Sequence, residues 1–296
     1  MNTNKFIKKY ISFSLGIWLR PIISLFTTPI ITWLINPSEF GKAMMYSTFY
    51  SIVQWIILLG TPNAFMRFFP QKSEDEHSKL LWSSMYFPFL FWALASTIIF
   101  IFRKYINTFL TGLENIDIHV ILSISLLTSI FQSFVLNLTR LKGKGIFYSF
   151  LLILETLSYS IFAIVFAIFV EKTFLTLIFA QLVSNLTVVI FGVIFEKDYW
   201  FNLRIDLNLA KEIIKFGAPY SIIGISWLLF NWTDRIVLRM FVDFHEIGLY
   251  SAAFKLVTII NMFNSGFITL WFPFAYEQFE KKTEFENKYI FLRAFD

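Results

Sequence analysis

Long runs of apolar residues, separated by short polar segments, follow one another along most of the chain. The runs without any charged residue are Ala43–Met66, Leu80–Phe102, Val120–Thr139, Thr173–Phe195 and Phe216–Thr233, and those with one isolated charge are Ile11–Leu34, Ile146–Val170 and Ile247–Trp271. A helix needs about 20 mostly apolar residues to cross a membrane, whereas strands of a membrane barrel are shorter and alternate strictly. The pattern therefore predicts an all-α, polytopic membrane protein with about eight transmembrane helices.

Composition supports this class and excludes several others. Hydrophobic residues make up 57% of the 296 residues and charged residues 15%, whereas soluble domains average about 45–50% and about 25%. A soluble globule of this length has too little interior to bury so much apolar surface. The chain has no cysteine and only three histidines, which form no metal-binding motif, so we expect no metal, no cofactor and no enzymatic site.

Lysine and arginine are distributed unevenly between the two sides of the predicted membrane. If the N-terminus is inside, 17 of them lie in inner segments, four in outer segments and four within the spans. This bias agrees with the positive-inside rule and predicts a cytoplasmic N-terminus. It also accounts for the net charge of +5 without a nucleic-acid partner.

Two short segments of similar sequence lie 207 residues apart. Asn36–Gly41 follows the first predicted helix and Asp243–Gly248 follows the seventh, and both contain a glutamate and a glycine at the same places. A six-helix unit that restarts in the same orientation is typical of transporters with parallel repeats, in which the substrate path lies between the halves. We therefore expect a six-helix bundle over residues 1–205 and the incomplete start of a second bundle over residues 206–296.

Three stretches also carry a resemblance to a known family. They are Lys9–Gly41 with its Pro-Ser-Glu-Phe-Gly turn, Lys215–Tyr220 leading to Asn231–Arg235, and Glu246–Lys255 leading to Trp271–Ala275. In these stretches the chain resembles the Wzx-type oligosaccharide flippases, the polysaccharide-export branch of the superfamily that includes MATE-type multidrug extruders. The resemblance implies a MATE-like fold of twelve to fourteen helices, so a chain with eight is expected to be a truncated product or a fragment.

The same resemblance implies a function. It is the flipping of polyprenyl-pyrophosphate-linked oligosaccharide across the bacterial cytoplasmic (inner) membrane by alternating access, for surface polysaccharides such as the O-antigen of lipopolysaccharide. The expected partners are the lipid-linked oligosaccharide and membrane lipids, with H⁺ or Na⁺ as candidate coupling ions and the polysaccharide-assembly machinery as a further candidate. Because the head group of this cargo is anionic, the cavity that carries it should contain basic residues.

One arginine lies deep in the first predicted helix. Arg20 is nine residues beyond Ile11, which at about 1.5 Å per residue is roughly 14 Å into the membrane and close to its midplane. A charge at that depth costs about 2.5–3.5 kcal/mol and needs a physical reason. With Gly16, Ser24, Thr28 and Thr32, Arg20 forms a small, polar stripe at intervals of four residues. The stripe is either the wall of a phosphate-binding cavity or an interhelical packing seam, and the arginine favours the cavity.

The other candidate residues lie in the fifth, seventh and eighth predicted helices. Those for substrate binding are Asn231, Arg235, Arg239 and Lys255, and those for ion coupling or charge pairing are Glu155 and Asp234. Arg239 lies near the outer end of its helix, where snorkelling to the headgroups is the alternative. Asp234 is a candidate partner for Arg20 or Lys255, and Glu155 either binds a coupling cation or proton or neutralises a nearby base.

Three other functions remain open from the sequence. A small-molecule extruder of the same fold is one, although a carrier of cationic drugs should have acidic rather than basic cavity residues. A membrane polysaccharide polymerase or glycosyltransferase is another, although it would be expected to carry a large outer loop or a cluster of acids. An inactive truncated remnant is the third, and the short length of the chain leaves it open.

Overall fold

A computed structural model of the chain describes residues 3–114, 117–255 and 257. This part of the chain is helical and contains no strand. Its helices are α1 (Thr3–Leu34), α2 (Pro37–Leu58), α3 (Thr61–Phe68), α4 (His77–Ile101), α5 (Arg103–Thr111), α6 (Ile118–Leu141), α7 (Gly145–Phe169), α8 (Phe174–Phe195), α9 (Lys197–Trp200) and α10 (Leu207–Phe241). Two 3₁₀ turns, Phe69–Gln71 and Glu74–Glu76, join α3 to α4, and residues 244–255 form a further helical segment, α11.

Six of the predicted spans correspond to described helices of sufficient length and apolarity. Five are α1 from Ile11 onward, α4 with the turn before it, α6, α7 and α8. The sixth is a bent pair, α2 with the segment Thr61–Gln71, whose axes differ by 46°. The bend follows from the backbone, because Leu59 and Gly60 both adopt positive φ and end α2 before α3 begins. The prediction of an all-α, polytopic membrane protein is confirmed.

The last two predicted spans have a different status. The seventh run lies within α10 and is helical, and it is not one of these six. The eighth run, Ile247–Trp271, lies mostly outside the described residues.

Residues 1–252 form one compact unit and residues 253–296 a second. Within the first unit α1 packs along α7, α8 packs between α6 and α7, and α10 packs against α2, α3 and α4. Large side chains fill its interior, among them Phe40, Phe65, Phe134 and Phe174. Of the second unit, residues 253–255 and 257 are described, and they are helical. The predicted division of the chain at residue 205 stays a prediction.

Ion pairs tie the helix ends together at the end of the bundle predicted to face the cytoplasm. Lys142 and Lys144, in the turn between α6 and α7, each lie 2.5 Å from the buried carboxylate of Glu196 at the end of α8. Burial by itself lowers the pKa of Lys142, but the hydrogen bond and charge of Glu196 outweigh it, so the pKa is raised. Asp206 caps α10 and pairs with Lys79 at 2.7 Å, and this hydrogen bond lowers the pKa of Asp206.

Candidate substrate-translocation site

Gly16, the first residue of the stripe on α1, packs directly on α7. The backbone N–H of Gly16 donates to Ser149 Oγ at 2.9 Å, and that hydroxyl donates to the carbonyl of Ser12 at 2.5 Å. A Cβ at Gly16 would lie 2.6 Å from Ser149 Cα, so this close approach requires glycine. This part of the stripe is therefore an interhelical packing seam, which is the alternative to a cavity wall that the sequence left open.

Arg20 lies one turn further along the same seam and contacts two consecutive residues of α7. Its Nε donates to Thr156 Oγ1 at 3.2 Å, and its Nη2 lies 3.1 Å from Glu155 Oε2. The side chain of Arg20 is 39% exposed, whereas that of Glu155 is 13% exposed. The structure thus pairs Arg20 with Glu155, whereas the sequence suggested Asp234 as a candidate partner. The role of Glu155 in ion coupling or charge pairing stays a prediction.

A cluster of uncharged polar side chains lies inside the bundle between α2, α6 and α8. Asn185 Nδ2 donates to Tyr50 Oη at 3.2 Å, its Oδ1 accepts from Gln181 Nε2 at 2.8 Å, and the hydroxyl of Tyr46 donates to Ser125 at 3.4 Å. A cavity of about 30 Å³ adjoins the cluster and is large enough for a water molecule. The charge of Glu155 acts electrostatically on Tyr50, one member of the cluster.

Sequence reasoning missed this cluster because it searched the spans for charges. The available signal was the presence of Gln181, Ser184 and Asn185 within a stretch of five residues in an otherwise apolar run.

Arg235 lies between α10 and α11. Its guanidinium stacks 4.2 Å from the ring of Trp232, its Nε donates to Ser251 Oγ at 3.3 Å, and the residue is only 5% exposed. The neighbouring Asp234 accepts a hydrogen bond from the hydroxyl of Tyr250. Both residues therefore bind α11 to α10, and the structure does not bring Arg235 together with Arg20.

Arg239 connects α10 to the short helix α5. Its Nε donates to the carbonyl of Phe109 at 2.9 Å, and its guanidinium lies 4.2 Å from the centre of the Phe244 ring. A cation near the last carbonyls of a helix also complements the negative end of the helix dipole. Arg239 thus has a structural role in the described chain. Lys255 lies in the second unit, and the side chain of Asn231 lies outside the described part of the chain.

The two repeated turns contact each other reciprocally. A Cβ at Gly41 would lie 3.0 Å from the carbonyl carbon of Phe244, and a Cβ at Gly248 would lie 2.8 Å from that of Pro37, with the oxygens closer still. Residues 37 and 244, like residues 41 and 248, are 207 positions apart, so the contact has a local two-fold symmetry. The two segments of similar sequence are thus in contact with each other, and the six-helix repeat stays a prediction.

The two turns are also built alike. The side chains of Asn36 and Asp243 each accept a backbone N–H at 3.0 Å and cap the helix that follows. In the first turn Glu39 pairs with Lys42 at 2.6 Å and accepts the N–H of Phe174 at 2.9 Å, which anchors the start of α8. The Pro-Ser-Glu-Phe-Gly turn is therefore a joint between α2, α8 and α11.

A second close contact joins α10 to the bend between α2 and α3. A Cβ at Gly217 would lie 2.8 Å from the carbonyl carbon of Gly60, and one at Gly60 would lie 2.9 Å from that of Gly217. Between this contact and the one at Gly41 and Gly248, the ring of Trp55 packs against Gly224. Glycines therefore line the contact of α2, and of the bend that follows it, with α10 and α11 from one end to the other.

Comparison with known proteins gives one match. Residues 6–277 match a family described as polysaccharide biosynthesis protein. The chain belongs to this family. The polysaccharide biosynthesis family covers Wzx-type flippases and the exporters of their superfamily, and its members are mostly transporters rather than enzymes. Membership implies a transport role in polysaccharide synthesis and, with the apolar helices, a multi-pass membrane protein. No curated protein and no solved structure matches the chain.

Proposed function

We propose that the chain is a Wzx-type flippase that translocates polyprenyl-pyrophosphate-linked oligosaccharide across the bacterial cytoplasmic membrane, with its N-terminus in the cytoplasm. The delivered glycan would enter surface polysaccharide such as O-antigen. Family membership supports the class of function, and the bias of basic residues towards the inner segments supports the orientation.

The exposure of Arg20 is the observation that carries the proposal. An arginine side chain that is 39% exposed near the membrane midplane is costly if it faces hydrocarbon, so its exposed part is expected to face a water-filled cavity. Arginine is suited to a pyrophosphate because its planar group presents several N–H donors that match phosphate oxygens. A carrier of cations would place acids at this position, which favours an anionic cargo.

The reciprocal contact of the two turns supports alternating access. It lies at the end of the bundle predicted to face outward and joins the first repeat to the second. In this proposal the two turns meet when the outer side is closed and separate when it opens. The lipid tail stays in the bilayer while the head group crosses between the repeats.

The test is a flipping assay in liposomes. The purified full chain is reconstituted with a fluorescent polyprenyl-pyrophosphate disaccharide, and the fraction protected from a membrane-impermeant quencher is followed over time. We expect transport by the wild type and a loss of at least about tenfold in Arg20→Ala, since charged hydrogen bonds contribute about 1.5–3 kcal/mol. Lys104→Ala, which removes an exposed base of α5 outside the spans, is the matched control and should retain the wild-type rate. Equal rates in all three proteins would contradict the proposal.

A further inference from the structure

We propose that Glu155 competes with the substrate for Arg20. It is the counter-ion of Arg20 between transport events, and it lowers the affinity of Arg20 for the anionic head group. The inference rests on the proposed function. It assigns to Glu155 a specificity and release role at the same site, without contact between Glu155 and the substrate.

The geometry leaves Glu155 dependent on Arg20. Its Oε2 is buried and makes no hydrogen bond within the described chain, so the ion contact with Nη2 at 3.1 Å is its compensation there. Arg20 depends less on the pair, because its Nε also donates a hydrogen bond to Thr156 and its side chain is three times as exposed as that of Glu155. The pair is therefore asymmetric: the base has access to a ligand and the acid does not.

This asymmetry determines what happens when an anion binds. A pyrophosphate that engages Arg20 draws the guanidinium away from Glu155 and leaves a largely buried carboxylate without its counter-charge. An unpaired buried charge is strongly unfavourable, so the cost is subtracted from the affinity for the head group. The same cost favours release, because Arg20 regains Glu155 when the head group leaves.

Among the described residues of the first unit, the contacts of Glu155 include no second cation that could replace Arg20 as its counter-ion. The charged or titratable groups that face it from the packed helices there are Arg20 on α1 and Tyr50 on α2. Tyr50 is bonded in turn to uncharged side chains of α8, directly to Asn185 and through it to Gln181. Competition for Arg20 is thus the main electrostatic consequence of the carboxylate in this part of the structure.

The test measures binding of geranylgeranyl pyrophosphate to the full chain in nanodiscs of zwitterionic lipid, where anionic lipid headgroups do not compete. We expect Glu155→Gln to lower the Kd at least about fivefold and to slow dissociation in proportion. Glu155→Asp, which keeps the charge, should remain within twofold of the wild type. Asp206→Asn removes a carboxylate from an ion pair outside the spans and is the matched control, with an unchanged Kd.

A double variant distinguishes competition from a change of fold. Combined with Arg20→Ala, the Glu155→Gln substitution should give no gain in affinity, because the competition requires the guanidinium. If Arg20→Ala loses binding but Glu155→Gln leaves the Kd and the dissociation rate unchanged, the counter-ion role is refuted and the proposed function stands. If the wild type and every variant fail to bind the probe, the proposed function and this inference are both refuted.

Discussion

Replacing either Gly41 or Gly248 by alanine should separate the two repeated turns by a similar amount. Neither Gly41 nor Gly248 has positive φ, so alanine is compatible with the backbone and only steric overlap is introduced. The added Cβ would lie 3.0 Å from the opposing carbonyl carbon at Gly41 and 2.8 Å at Gly248, whereas ordinary contact begins at 3.4 Å. The turns must therefore separate by at least about half an ångström, and more where the carbonyl oxygen is met.

The energy involved is large enough to change the state of a transporter. Overpacking of a close contact against backbone costs about 1–3 kcal/mol, and each 1.4 kcal/mol changes an equilibrium about tenfold. We therefore expect each substitution to reduce the population of the closed contact about five- to a hundredfold. Because both alanines act on the same contact, the double variant should show less than the sum of the two effects.

The assay is a distance measurement between spin labels at positions 38 and 245, which are also 207 residues apart and flank the contact. The chain contains no native cysteine, so cysteines introduced there would be the only labelling sites. The distance distribution should shift to longer values in both single variants. Gly16→Ala is the control, because it loosens the α1–α7 seam without touching the turns. A shift in one glycine variant but not in the other would refute the reciprocal geometry, and an equal shift in Gly16→Ala would show a general loss of packing instead.

Three further predictions follow from ion and stacking contacts. Arg235→Ala should lower the midpoint of thermal unfolding by several degrees, and Arg235→Lys should not restore it, because an ammonium group cannot replace the planar stack on Trp232. Arg239→Ala should increase hydrogen exchange in α5, whose last carbonyls it binds at Phe109, while exchange in α7 stays unchanged. Asp206 has a lowered pKa, so its contribution to stability is present above its ordinary value of 3.8 and is lost as the pH falls below it; the acid sensitivity of unfolding should decrease in Asp206→Asn.

The membrane-spanning helices could be predicted from the sequence, but the direction and partner of a residue within them could not. Six spans, the bias of basic residues and the 207-residue repeat are periodic or compositional features, and these require no knowledge of packing. Arg20, Arg235 and Arg239 are alike in sequence terms, each a base in a predicted transmembrane helix. The structure gives them three different environments: an acid on α7, an aromatic stack against α11, and the end of α5.

The partners themselves lie too far along the chain for a sequence pattern to connect them. Arg20 and Glu155 are 135 positions apart, and no rule of helical spacing relates two different helices. The glycines were equally ambiguous, since a glycine in an apolar run indicates close packing without naming the surface. The repeat was the exception, because its offset relates residue 41 to residue 248 through the sequence alone.

We expect the contact of α2 with α10 and α11 to open during transport. The seam between α1 and α7 is expected to stay closed. The first is lined by glycines whose backbones meet at Gly41, Gly60, Gly217 and Gly248. The second is held by hydrogen bonds at Ser149 and by the ion pair of Arg20, whose loss in an apolar medium is costly. A flexible, reducible thiol cross-linker between cysteines at positions 38 and 245 should therefore abolish flipping. Reduction of the cross-linker should restore it. The same cross-linker between positions 12 and 149 should leave flipping intact, and the opposite result would place the moving surface at α1.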